Sequence, residues 1–176
     1  MTALATPYQR SYWVSPGRLL AGHYPGAANS DEASHKLDGL VAASIRHVVN
    51  LMEEGERDRS GAIFVPYEAP LKARGISMTR MPIRDFHIPS EDEMVTILDD
   101  IDQSITAGTP TYVHCWGGKG RTGTVVGCWL VRHGIAAPER AVDRIKELQA
   151  VCGGNLSPSP ESETQRAFVR TWKAGQ

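Results

Sequence analysis

Val113-His114-Cys115-Trp116-Gly117-Gly118-Lys119-Gly120-Arg121-Thr122-Gly123 lies between two apolar segments, and its reading decides the fold. Ahead of it Thr111-Tyr112-Val113 ends a run that suits a strand. Behind it Val125, Val126, Trp129 and Leu130 recur at the spacing of a helix face. The stretch is therefore a strand end, a glycine-punctuated turn and a helix start. Gly117, Gly118 and Gly120 let the chain curl until successive backbone N–H groups point inward, a nest suited to a tetrahedral oxyanion. The helix start adds its own N–H groups and partial positive charge. Arg121 can clamp two oxyanion oxygens with its planar fork. The same positive field favours thiolate over thiol at Cys115. Candidate phosphate-binding residues are thus Trp116, Gly117, Gly118, Lys119, Gly120 and Arg121, with Cys115 as nucleophile.

Two plainer readings compete. A nucleotide-binding loop requires Ser or Thr directly after the Gly-Lys pair, and Gly120 stands there, so that reading fails. A buried structural cysteine beside a surface loop leaves the alignment of His114, the glycines, Arg121 and Thr122 unexplained.

Working upstream, Tyr12-Trp13-Val14 and Arg18-Leu19-Leu20-Ala21 flank the turn signal Ser15-Pro16-Gly17 and predict a hairpin. Residues 1–11 read as a loose leader. Ala33, Leu37, Leu40 and Val41 have helical spacing, with Asn29 or Ser30 as cap. His47 to Met52 reads as a strand covered on both faces. Glu53 to Gly61 is charged and irregular, open to two readings, a border of the active site or, the plainer one, a solvated loop. A short helix is expected after Pro70, then a strand over Ile76 to Ile83. Ser90-Glu91-Asp92-Glu93 is a capping box ahead of the stripe Met94, Ile97, Leu98, Ile101 and Ile105. The loop at 84–89 is thereby held between a strand end and a helix start.

Downstream, a helix is expected from Pro138 to Leu148 with Pro at its first position. A Gly/Ser/Pro loop over Cys152 to Pro160 and a last helix carrying Phe168, Val169 and Trp172 follow. Alternating strands and helices predict a single α/β domain with a central, mostly parallel sheet flanked by helices. Its functional loops gather at the carboxyl ends of the strands.

Composition sets the bounds. At 176 residues, 41% hydrophobic and 22% charged, with net charge −1, the chain has room for one domain with a good core. It gives no reason to expect nucleic acid as a partner. Three cysteines, 115, 128 and 152, make neither a disulfide framework nor a zinc site, so no metal or other cofactor is expected. Cys128 and Cys152 read as packing residues. No signal peptide and no membrane span are visible, and the expected location is the cytoplasm.

The pattern His114-Cys115, five residues, Arg121-Thr122-Gly123 resembles the signature loop of the cysteine-dependent protein tyrosine phosphatase superfamily. The compact length resembles its dual-specificity branch. The resemblance implies a metal-independent phosphomonoester hydrolase that forms a phosphocysteine and acts as a monomer on phosphoproteins or small phosphomonoesters. Pro82-Ile83-Arg84-Asp85-Phe86-His87-Ile88-Pro89-Ser90 resembles the branch's general-acid loop, which implies that Asp85 is the acid. By the same resemblance, Thr122 hydrogen-bonds the cysteine sulfur and His114 supports the loop. Gln165 looks like the glutamine some relatives use to position water. An N-cap at Thr122 and an exposed helical Gln at 165 are the plainer alternatives. Lys119 is similar to a loop lysine of phosphoinositide phosphatases, with His87 a further source of charge, and this leaves inositol lipids or inositol phosphates as a second substrate class. A catalytically silent phosphate-binding module is the non-enzymatic alternative; such modules usually lack the cysteine, the arginine or the acid. Trp116 and Lys119 are the positions where substrate choice is expected to lie.

Overall fold

The computed structural model describes residues 4–152 and 158–176. The expected leader at 1–3, and the part of the expected Gly/Ser/Pro loop at 153–157, including Ser157, lie outside the described residues.

The apolar runs Tyr12-Trp13-Val14 and Leu19-Leu20-Ala21 and the turn at Ser15-Pro16-Gly17 give the hairpin of β1 (Ser11–Ser15) and β2 (Leu19–His23). Then come α1 (Ser30–Ala42), β3 (His47–Asn50), α2 (Glu68–Ala73), β4 (Ser77–Arg80), α3 (Glu91–Thr106), β5 (Thr111–Cys115), α4 (Gly120–Arg132), α5 (Ala141–Gln149) and α6 (Glu163–Thr171). The sheet order is β1-β2-β5-β3-β4; β1 is antiparallel to β2 and the other pairings are parallel. The mostly parallel α/β expectation holds. Every residue of β3 and β5 is buried, the polar His47, Asn50, Thr111 and His114 included, as strands covered on both faces at the centre of a parallel sheet require.

The caps explain where two helices begin. Asn29 Oδ1 accepts from the backbone N–H groups of Asp31 and Glu32. Ser90 and Glu93 exchange both bonds of a capping box ahead of α3, whose stripe from Met94 to Ile105 is buried. Each such side chain contributes roughly 1.5–3 kcal/mol by leaving water.

Four expectations are corrected. The helix around Pro70 starts before it, at Glu68, because proline is tolerated in a first helical turn. The helix expected at Pro138 begins at Ala141, with Pro138 in the preceding turn. The strand expected over 76–83 is trimmed to Ser77–Arg80, a partly exposed edge. The supposed leader is docked from Ala5 onward: Trp13 Nε1 donates to the Ala5 carbonyl, and the Tyr8 ring meets His23 and Tyr112 edge-on.

Helix α4 is the axis of the molecule. The sequence suggests one apolar face, yet every residue from Gly120 to Val131 is buried, because α3, α5 and α6 pack around it and β2 and β5 lie against it. A Cβ at Gly127 would come within 2.8 Å of Val169, so glycine sets the close approach of α4 and α6. Among the described residues no helix is long and apolar enough to cross a membrane.

Candidate active site

Cys115 ends β5, and its buried side chain forms part of the floor of a cleft of about 340 Å³. Arg10, Arg59, Asp85, Phe86, Trp116, Gly117, Lys119, Gly120, Arg121 and Glu161 line the cleft with it. Gly118 turns the loop at φ 69°, and a Cβ there would lie 2.5 Å from the Gly22 backbone, so this position requires glycine twice over. Gly117 is different: its φ is ordinary, and an added Cβ would meet only Arg10, at 4.0 Å. The loop's curl rests on Gly118 rather than on all three glycines.

Arg121 is almost wholly buried, with 1% of its side chain exposed, and its guanidinium is divided between tasks. Its Nη1 and Nη2 donate to the two carboxylate oxygens of Glu56 at 2.7 Å, and Nη1 also donates to the Ile83 carbonyl at 3.1 Å. The remaining edge is Nε with Nη2. Nε is buried without a partner, while Nη2 meets Asp85 Oδ1 at 3.0 Å. Burial opposes the charge of Arg121, but Glu56, with Cys115 and Asp85, outweighs it and pushes the pKa up. A bidentate carboxylate behind the guanidinium thus aims its other edge at the cleft.

Glu56 is the residue missed by the sequence reading. The expected solvated loop is an ordered hairpin with an isolated bridge between Arg57 and Ile63. Asp58 closes its turn by accepting from the N–H groups of Ser60 and Ala62. Glu56 points inward with a 9% exposed side chain, and Arg59 reaches the cleft. The signal was Asp58-Arg59-Ser60-Gly61, a turn signature.

Asp85 sits in a turn closed by the His87 N–H to the Arg84 carbonyl, and His87 Nδ1–H donates to the Asp85 carbonyl at 2.8 Å. Phe86 holds φ 62°, a left-handed conformation that bulky residues rarely adopt, and exposes its ring at the cleft.

His114 is fully buried. Its Nδ1 lies 3.0 Å from the Cys115 carbonyl and so carries the proton, while Nε2 accepts from the Tyr67 hydroxyl. Burial pushes its pKa down to about 3 and raises Tyr67 well above the usual phenol range, so both stay neutral. It supports the loop without titrating near neutrality.

Thr122 is not the cap of α4, a place taken by Lys119, and its buried hydroxyl has no partner. Gln165 is fully buried rather than exposed. Its Oε1 accepts from the N–H groups of Glu161 and Ser162, and Nε2 donates to the His87 carbonyl at 3.3 Å. Burial raises the pKa of Cys128 and Cys152, in keeping with packing roles.

A family model described as the Swiss Army Knife protein DSP-PTPase phosphatase domain matches residues 8–174. An uncharacterised protein of Methanocaldococcus jannaschii is 33% identical over 102 residues, 58% of this chain and 61% of that protein. The match thus spans about three fifths of that relative's length. A phosphatidylglycerophosphate phosphatase of Arabidopsis thaliana is 34% identical over 61 residues, 35% of this chain and 18% of that protein. The crystal structure of Tk-PTP in the active form superposes with a TM-score of 0.71 at 25% identity, covering 92% of this chain and 94% of that one.

Proposed function

The chain belongs to the family of DSP-PTPase phosphatase domains, and on that premise we propose that it hydrolyses phosphomonoesters through a phosphocysteine intermediate. The observation that carries the reading is the divided Arg121: held from behind by Glu56, it presents its Nε/Nη2 edge to the cleft that Cys115 floors. The substrate phosphate takes that edge and displaces Asp85, which then faces the leaving group.

In the first step the Cys115 thiolate attacks phosphorus, the ester P–O bond breaks, and Asp85 gives its proton to the departing oxygen. In the second step water attacks the phosphocysteine, Asp85 takes a proton from that water, and the S–P bond breaks to release phosphate. Thr122 donates its unpaired hydroxyl to the departing sulfur. Gln165, whose amide packs on Gly120, has one N–H beyond the His87 bond with which to orient the water. Trp116, Gly117, Gly118, Lys119 and Gly120 complete the cradle, and His114 braces it.

Phosphotyrosine and other phosphorylated side chains of proteins are the first substrate class. A second, phosphoinositides or inositol phosphates, is favoured by the cations Arg10, Arg59 and Lys119 around the same cleft. A thiol-dependent monomer of the cytoplasm fits either class. The silent-module alternative loses ground because nucleophile, clamp and acid are all present.

The test is hydrolysis of 4-nitrophenyl phosphate together with mass spectrometry of acid-quenched enzyme. Wild type should carry a phosphoryl group on Cys115; Cys115→Ser should bind phosphate without turnover, and a chelator should change nothing. Asp85→Asn should lose about 10²–10⁴-fold on alkyl phosphates, whose leaving groups need a proton, and far less on 4-nitrophenyl phosphate. Continued turnover by Cys115→Ser would sink the covalent route.

A further inference from the structure

We infer that Arg10 and Arg59 form a second anion subsite on the rim of the cleft, so that the preferred substrate is a compact phosphomonoester bearing a second phosphate group. This rests on the phosphatase reading above and narrows its substrate. The scissile phosphate is provided for by Arg121 and the loop. Arg10 and Arg59 come from outside that loop, one from the segment before β1 and the other from the 56–64 hairpin, and converge on its near side. Arg10 Nη2 donates to the Gly117 carbonyl at 2.7 Å, and the Arg59 guanidinium carbon lies 5.7 Å from the centre of the Trp116 ring. Both line the cleft that Cys115 floors.

Three features argue that these are more than solvated surface charges. The chain has a net charge of −1, so this concentration of cations is local and not a consequence of overall composition. Arg10 sits at φ 65°, a left-handed conformation that costs a non-glycine residue free energy, and, although the residue is exposed, its Nη2 is tethered to the loop at the Gly117 carbonyl. One of its five donors is used on Gly117, which leaves a fork suited to phosphate oxygens. The acids on the same cleft are Asp85, already against Arg121, and Glu161, beside Gly120. Neither forms an ion pair with Arg10 or Arg59.

The scale of the site selects the scaffold. Cradle and rim share one cleft of about 340 Å³, the size of a small-molecule pocket rather than of a groove for extended peptide. A polyol or sugar ring bearing two phosphates fits this, whether free in solution or as a lipid headgroup.

The experiment compares kcat/KM for 4-nitrophenyl phosphate, inositol monophosphate, soluble inositol bisphosphates, the bisphosphate headgroup in phosphatidylcholine vesicles, and a doubly phosphorylated peptide. Wild type should favour the bisphosphates over the monophosphate by about tenfold or more, as expected for one added charge-assisted contact. Arg59→Gln and Arg10→Gln should each reduce that ratio severalfold, and Arg10→Lys should restore part of it. Preference for the soluble compound identifies a free polyol phosphate as the source, and preference for the vesicle identifies a headgroup; either supports the subsite. Equal rates on mono- and bisphosphate, a ratio that neither variant moves, or a preference for the peptide overturns it. Hydrolysis of 4-nitrophenyl phosphate separates the two ideas: if it fails, the phosphatase reading falls, and if it proceeds without bisphosphate preference, only the subsite falls.

Discussion

Arg121 carries two obligations at the residue scale: a buried cation must be neutralised, and under the proposed mechanism it must keep an edge open for phosphate. Glu56 meets the first by taking the Nη1/Nη2 edge, and so serves the second by fixing which edge faces the cleft. Glu56→Gln should therefore damage both stability and activity. Breaking a buried pair by altering one partner costs about 3–5 kcal/mol, and a clamp misaligned by about an ångström costs on the order of 100-fold in rate. The expected outcome is a lowered melting temperature with a large fall in kcat/KM; a variant of wild-type activity would remove Glu56 from the positioning role. Arg121 was legible because chemistry fixes its distance from Cys115. Glu56 was not, since a glutamate in a charged run reads as solvated unless the chain brings a buried arginine to meet it.

At the scale of elements, the start of α6 ties the 84–89 loop that carries Asp85 to the 115–121 loop that carries Cys115. Gln165 caps the helix with its Oε1 and holds the His87 carbonyl with Nε2, while Ser159 Oγ donates to the Lys119 carbonyl at 2.9 Å. Gln165→Ala should slow substrates with poor leaving groups severalfold more than 4-nitrophenyl phosphate, because the loop proposed to carry the acid loses its strut. Equal slowing of both would assign Gln165 to loop packing or water alone. The capping boxes at Ser90 and Ser162 follow from local chemistry, and the one ahead of α3 was readable for that reason. The start of α5 was misread because proline is compatible with a first helical position but equally with the turn before it.

Across the whole molecule, the buried His114 and the partly buried His23 make stability depend on pH. His114 falls from 6.5 to about 3 and His23 to about 4, in both cases chiefly through burial. Their folded values lie below the unfolded ones, so the unfolded chain takes up protons first. The stabilisation is complete above pH 6.5 and is lost as pH falls toward those folded values. Between pH 7 and 5, His114 alone should cost about 2 kcal/mol of unfolding free energy. Urea melts at the two pH values measure this, and equal midpoints would contradict the neutral, buried state of His114.

The sequence by itself determined the α/β alternation, the strand-turn-helix that carries Cys115 and Arg121, and the capped start of α3 beside Asp85. These depend on periodicity, capping chemistry and spacing within short stretches of chain. Only the tertiary structure decided that Glu56 sits behind Arg121, that Tyr67 fixes the tautomer of His114, that Arg10 and Arg59 reach the rim, and that α4 is buried all round. Each of these is a meeting of side chains far apart in sequence. Burial turns such a meeting into a requirement, because a charge or polar group removed from water must find its partner wherever the fold supplies one.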